Sequence, residues 1–436
     1  MKDGTVGTLN GTEVDDQAAR SVVETRTAAG ANATGTNATG TIGEQEKASL
    51  RRQPKAVWAT ALAAAFAFMG IGLVDPILPA IAANLDASPS QVSLLFTSYF
   101  TVNAFAMLLT GFVSTRIGGK RTLLVGLAVI VVFATLAGTS DHVNALVGFR
   151  AGWGLGNALF VATALAVIVG VASGGASTAI ILYEAAIGVG MALGPLLGAL
   201  LGGWQWRAPF FGTATLMAAA FIALLALLPT MPAPARRTRL RDPLLALGHR
   251  GLRTVAGSAI FYNYGFFTIL AFTPFVLGMD AYGIGAVFVG WGVMVAIFSV
   301  IVAPRLQSRL GTVRTLAAVL VLLALVMVGY AAAAGRSVGV VVALTIFSGA
   351  LLGVNNTLYT ELAMSVSDAP RPVASAGYNF MRWLGGAVAP FAATKIGEVF
   401  GAPVTYLVTA VLVLVGTAIV LGGRRYLSAH APAPLS

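Results

Sequence analysis

The chain reads as an all-α integral membrane protein: twelve transmembrane helices in two pseudo-symmetric six-helix halves. Three observations predict this: a shortage of charge, a ladder of apolar runs, and a repeat between the two ends of that ladder. Of 436 residues, 57% are hydrophobic and 10% charged, with a mean hydropathy of +0.84. A soluble domain carries about 25% charged residues, so this chain has too little charge to cover a water-facing surface. The surplus apolar surface must face lipid. A net charge of +11 suggests nucleic acid at first sight. The basic residues, however, sit in short loops between apolar runs, and no nucleic-acid partner is expected. There is no Cys, and His142, His249 and His430 all lie outside the apolar runs. Disulfides, thiolate metal sites and a histidine metal site within the membrane are therefore excluded.

Residues 1–54 are poor in bulky apolar residues and include the repetitive stretch Gly30–Gly40, so they read as a disordered tail. No signal peptide is expected, because the first apolar run begins only near Val57. Twelve runs follow, at about 56–83, 91–114, 121–139, 144–172, 177–203, 208–229, 254–278, 284–304, 315–334, 338–365, 372–396 and 402–422. Backbone polar groups in lipid must be satisfied within their own segment, so each run is a helix. Transmembrane strands would alternate apolar and polar residues, and these runs do not.

The longest internal loop, 230–253, holds Pro232, Pro234, six Arg and His249, and divides the runs six plus six. The expected organisation is a tail 1–54, a half 55–229, a basic linker 230–253, a half 254–422 and a C-tail 423–436. All but five of the 27 Lys and Arg fall in the N-tail, the even-numbered loops and the C-tail. The five are Arg207, Arg336 and Lys395 in odd-numbered loops or adjoining helix ends, and Arg150 and Arg382 inside runs. The positive-inside rule then puts both termini in the cytoplasm, and the expected location is the plasma (inner) membrane.

The halves repeat. Arg116-Ile-Gly-Gly-Lys-Arg-Thr-Leu after run two matches Arg309-Leu-Gly-Thr-Val-Arg-Thr-Leu after run eight, an offset of 193 residues. Asp75-Pro76 in run one sits at a depth comparable to Thr273-Pro274 in run seven. A duplicated pair of six-helix halves is a transporter plan, with the substrate site between the halves near the bilayer midplane.

Three stretches carry a family resemblance. They are Gly111-Phe-Val-Ser-Thr-Arg116-Ile-Gly118-Gly-Lys120-Arg121, Arg150-Ala-Gly-Trp-Gly154-Leu-Gly156, and Gly190-Met-Ala-Leu-Gly194-Pro195-Leu-Leu-Gly198. Together they resemble the major facilitator superfamily, specifically its drug/proton antiporter branch. The first is similar to the family's signature loop, the second to its basic motif in span four, the third to its span-five antiporter motif. The resemblance implies the major facilitator fold, proton-coupled multidrug-type efflux by alternating access, and no cofactor beyond the proton gradient. It gives Gly111, Arg116, Gly118, Arg121, Gly190, Gly194, Pro195 and Gly198 gating and packing roles. Two positions depart from the pattern: Thr115 stands where the loop has an acid, and Trp153 where the basic motif has Gln.

Chemistry rests on the few polar residues inside the runs. Asp75, Glu184 and Glu361 are the acids there, and Arg150 and Arg382 the cations. A charge at the bilayer centre costs about 2.5–3.5 kcal/mol on insertion scales, so each marks a function by default. Asp75 and Arg150 match in depth, which makes them a candidate pair, and with Glu184 they form the expected proton-coupling set. Burial and a neighbouring cation act oppositely on such an acid, so a substrate that displaces the cation changes its proton affinity. The alternative is a permanent structural ion pair.

In run five, Gly190, Gly194, Gly198 and Gly202 give a bare seam that admits another helix, and Pro195 permits a kink. The seam reads as a gating helix or as tight packing. Run four has a similar seam at Gly148, Gly152 and Gly156. Run eleven places Asn379, Arg382 and Gly386 on one face, and Glu184 and Glu361 are both open as partners of Arg382. Asn355, Asn356 and Glu361 in run ten, with Asn263 and Tyr264 in run seven, complete the candidate substrate cavity or gate. The aromatics of run seven suit apolar or cationic ligands, or plain helix packing. No phosphate-cradling Gly-x-x-x-x-Gly-Lys-Ser/Thr is present, and no enzyme motif. The expected partners are a small-molecule substrate and membrane lipids, with the chain as a monomer. A carrier of one metabolite and a membrane sensor are the competing readings.

Overall fold

The computed structural model describes residues 53–173, 175–230, 239–369 and 371–428, without the side chains of 175–181, 184, 371, 372 and 428. The tail read as disordered lies outside the described residues apart from Gln53 and Pro54. The long helices are α1 (Lys55–Asn84), α2 (Pro89–Ile117), α3 (Gly119–Gly138), α4 (Val143–Val171), α5 (Gly175–Trp204), α6 (Ala208–Leu227), α7 (Arg250–Leu277), α8 (Ala281–Leu310), α9 (Thr312–Ala333), α10 (Val338–Ser365), α11 (Arg371–Phe400) and α12 (Ala402–Gly422). A short helix, Asp242–Ala246, lies within the linker, and another, Arg424–Ser428, follows α12.

Among the described residues, 11 helices are long and apolar enough to cross a membrane. The exception is α11. It is 30 residues long, but Asn379, Arg382, Lys395 and Glu398 interrupt its apolar run. Its packing explains the tolerance: α11 lies between α2 and α7, where polar groups find protein rather than lipid. Helix ends fall close to the expected runs, the larger shifts being at α7, which starts at Arg250 rather than 254, and α8, which runs on to Leu310.

Local chemistry sets the ends. At the start of α2, Ser88 Oγ accepts from the Gln91 N–H at 3.2 Å, while the Gln91 side chain accepts from the Ser88 N–H at 2.8 Å. This reciprocal cap satisfies two orphan donors. The helix stops at Gly118 with φ 88°, and the corresponding helix end stops at Gly311 with φ 80°. Only glycine adopts such angles without strain, and the two lie one repeat apart.

The packing repeats as well. Within the first half α1 packs on α4, α5 and α6, α2 on α4, and α3 on α4 and α6. Within the second, α7 packs on α10, α11 and α12, α8 on α10, and α9 on α10 and α12. Two seams join the halves, α2 with α11 and α5 with α8, and each maps onto the other under the repeat. The face carrying the α2–α3 and α8–α9 turns and the linker is hereafter the basic face. At the opposite face the seams are closed. There a Cβ on Gly203 would strike the Tyr282 ring and one on Gly285 would strike Ala199; on the basic side of mid-helix, Phe105 of α2 meets Phe380 of α11 at 5.3 Å.

Candidate functional site

The site begins at a break in α1. Its first stretch ends at Gly72, a 3₁₀ turn covers Asp75–Ile77, and the helix resumes at Leu78–Asn84. Pro76 and Pro79 cause the break, since neither has an N–H to continue the ladder. Asp75 is 1% exposed, and its Oδ1 has no hydrogen-bond partner.

The α5 seam is the bed for this break. Gly190 lies against the Ala65 carbonyl, Gly194 against that of Met69, Gly198 against that of Leu73 and Gly202 against the Ile77 side chain. A Cβ on Gly72 would approach Pro195 to 3.0 Å. The seam is thus filled by α1 along its length, which is the packing reading. On α4, Gly152 faces Phe133 and Gly156 faces the α3 backbone, while Gly148 has open space beside it.

Arg150, on α4, is fully buried, and its guanidinium nitrogens make no hydrogen bond. Rings surround it instead: Trp153 at 4.4 Å, Tyr99 at 4.6 Å and Phe96 at 6.0 Å from the centroids. Such cation–π contacts are worth about 0.5–2 kcal/mol each. Asp75 and Arg150 lie within electrostatic reach of each other, yet no ion pair forms. The permanent ion pair considered from sequence is therefore corrected: the helix break and the aromatic cage hold the two groups near but apart. One turn along, Asn157 Nδ2 donates to Asn103 Oδ1 at 3.4 Å, leaving Asn103 Nδ2 and Asn157 Oδ1 unpaired and buried.

Sequence reasoning missed Tyr99, Asn103, Trp153 and Asn157. A signal existed, since Tyr99 and Asn103 are one turn apart on α2, and Arg150 and Asn157 two turns apart on α4. Trp153, read as a departure, both covers Arg150 and packs on Gly70 of α1.

In the second half Arg382 Nη2 donates to Asn356 Oδ1 at 2.8 Å, and its Nε to Asn263 Oδ1 at 3.4 Å. Asn263 Nδ2 returns a bond to the Arg382 carbonyl at 2.8 Å. The structure brings Asn263, Asn356 and Arg382 together. Glu361 is elsewhere: it is exposed toward the basic end of α10 and accepts from Gln307 at 2.8 Å. It stands four residues before the end of that helix. The Glu184 side chain lies outside the described residues. Asn379 bonds Ser375 on its own helix at 3.2 Å, Asn355 is buried with both amide atoms unpaired, and Tyr264 is buried in α7.

In the signature loop, Arg116 folds back on its own helix, donating to the Phe112 carbonyl at 3.1 Å and stacking on the Phe112 ring at 3.3 Å. Thr115 Oγ1 donates to the Gly111 carbonyl at 2.9 Å. Lys120 donates to the Leu225 carbonyl at 3.1 Å and to that of Leu228, closing the end of α6. Arg121 is exposed.

Two repeated six-helix halves, with a broken first helix and buried, unpaired charges beside it, define a multi-pass secondary transporter for small molecules. The family model of the Major Facilitator Superfamily matches residues 60–390, and the chain belongs to that family. Over 383 residues the chain is 50% identical to the "Multidrug efflux protein YfmO" of Bacillus subtilis (strain 168), covering 88% of this chain and 96% of that relative. The "Tetracenomycin C resistance and export protein" of Streptomyces glaucescens is 34% identical over 185 residues, 41% of this chain and 34% of its own. A bacterial homolog of the human lysosomal transporter Spinster, inward-facing and unoccupied, superposes with a TM-score of 0.72 at 14% identity, over 87% of this chain and 98% of that one. At that identity the likeness shows the fold alone.

Proposed function

We propose that this transporter expels small apolar or cationic compounds in exchange for protons, by alternating access. Asp75 takes and releases the coupling proton, and Arg150 tunes it. The observation that carries this reading is the unpaired, buried Asp75 carboxylate at the α1 break, within reach of an Arg150 that forms no hydrogen bond. A group with no fixed partner can change charge without breaking the fold. The name of the relative sharing half its residues supports the drug-efflux part. The proton gradient is the energy source, since 100 mV alone supplies about 2.3 kcal/mol per charge.

In this reading the protein is a monomer in the plasma (inner) membrane, in contact with lipid. The basic face and both termini are cytoplasmic. The 230–253 linker joins halves 55–229 and 254–422. Glu184 belongs to the coupling set with Asp75 and Arg150, and Arg382, Asn356 and Asn263 belong to the cavity or gate, with Asn355, Asn379, Tyr264 and Glu361. A second reading, export of a single hydrogen-bonding metabolite, is favoured by that same Arg382–Asn356–Asn263 cluster, which is polar and directional.

Efflux of fluorescent cations and apolar drugs from a host stripped of its own pumps tests the proposal, with and without an uncoupler. Wild-type efflux should be uncoupler-sensitive, and Asp75→Asn at equal abundance should abolish it. Undiminished efflux by Asp75→Asn would remove Asp75 from the coupling role.

A further inference from the structure

Among the described residues, a polar contact crosses the α2–α11 seam near the opposite face. Glu398, in the last turn of α11, reaches over the half boundary to the first turn of α2. Its Oε1 accepts from the Ser90 backbone N–H at 2.7 Å, and its Oε2 from the Ser90 hydroxyl at 2.9 Å. Lys395, on the preceding turn of α11, donates to the same Oε2 at 3.2 Å. The bonds land on the N-terminus of a 29-residue helix, where amide donors lack partners and the peptide dipoles favour an anion. Hydrogen bonds to an ionised acceptor are roughly twice as strong as neutral ones.

Capping alone does not require this reach. Ser88 and Gln91 already cap α2 from within its own half. α8 is capped in the same way, by Asp280 accepting from the Gly283 N–H at 2.8 Å, and the residue at the Ser90 position is Tyr282, which lies against Gly203. The α5–α8 seam therefore closes by shape, Gly203 against Tyr282 and Gly285 against Ala199, whereas the α2–α11 seam adds an ionic clasp.

We propose that Glu398 is the latch of the gate at the opposite face. It holds α2 and α11 together while that face is closed, and it releases Ser90 each time the carrier opens there. This rests on the family's alternating access and on the Ser90 bonds, and it is independent of which residue carries the proton.

The absence of native Cys makes the test direct. Asn144→Cys at the start of α4 and Gly339→Cys at the start of α10 are exposed at the opposite face, one in each half. Spin labels there, read by pulsed electron resonance in reconstituted bilayers, report the width of that face. Lys55→Cys and Gly422→Cys, both exposed, report the basic face in the same way.

Glu398→Gln and Glu398→Ala should each raise the long-distance population at the opposite face about tenfold, the factor for one lost charge-assisted bond. The basic face should narrow in step. Lys395→Ala leaves both Ser90 bonds and should shift the populations far less. A distribution unchanged by Glu398→Ala overturns the latch. So does an equal shift in Lys395→Ala, or a widening of both faces together, which would mean a loosened bundle. Glu398 stands at an exposed helix end, so these replacements leave the core intact.

Discussion

In the first half, α1 breaks at Asp75-Pro76; in the second, α7 runs unbroken from Arg250 to Leu277 through Thr273-Pro274. Thr273 shares a hydrogen bond with Tyr406 at 3.0 Å, while the matching Asp75 Oδ1 has no partner. The intramembrane arginines, Arg382 half-buried and Arg150 fully buried, differ in the same way. Arg382 is held by the Asn263 and Asn356 side chains, Arg150 only by ring faces. One scaffold, used twice, thus holds its intramembrane arginine by side-chain amides in one half and leaves an acid and an arginine without hydrogen bonds in the other. An uncompensated buried charge lowers stability by several kcal/mol. Its place is therefore where a change of charge does something, which is the role proposed for Asp75.

Substitutions along the shared seams should separate the halves most strongly. A Cβ on Gly198 collides with the Leu73 carbonyl, and one on Gly385 with that of Ile260. Gly198→Ala and Gly385→Ala should each destabilise by about 1–3 kcal/mol, as overpacking does, read as a lower melting temperature in detergent. Only Gly198→Ala displaces the α1 break, so only it should abolish uncoupler-sensitive efflux. Equal loss in Gly385→Ala would break the comparison.

The arginines give a smaller effect. Arg382→Lys forfeits the forked bonds to Asn356 and Asn263, about 1–2 kcal/mol. Arg150→Lys keeps the charge and loses ring stacking, about 0.5–1 kcal/mol. Thermal unfolding should therefore rank Arg382→Lys as the less stable, and the reverse order would mean that the cage holds Arg150 more tightly than the amides hold Arg382.

The smallest effect belongs to the signature loop. Among the described residues, the hydrogen bond and ring contact of Arg116 are both to Phe112, on its own helix, so Arg116→Ala should change efflux by less than about twofold, the loss of one exposed pair. A larger fall would give Arg116 a partner in another state of the cycle.

Element order, the repeat and the polar character of α11 were legible because they depend on apolar periodicity and on Pro, Gly and charge along one stretch of chain. The α1 break was not legible in Asp75-Pro76, because the matching Thr273-Pro274 sits in a helix that continues unbroken. The Arg150 cage was not legible, because Tyr99 and Phe96 come from a helix some 50 residues earlier and Trp153 looked like a mismatch to the motif. The Gln307 partner of Glu361 was not legible either, because it comes from α8, and a charge inside an apolar run gives no depth; α10 reaches its end four residues later, at Ser365. The α5 seam was visible as a stripe of glycines, but which helix fills it depends on the tertiary fold.

The reach of Glu398 also has a consequence in time. Ser90 and Glu398 are 308 residues apart, and at roughly 5–20 residues per second the ribosome needs about 15–60 s to make the second after the first. Through that interval the newborn first half sits in the bilayer with one flank of α2 uncovered and α11 not yet made. The Ser88–Gln91 cap and the glycine bed of α5 are finished early, from within that half. They keep the nascent bundle in shape while insertion of the rest of the chain is completed.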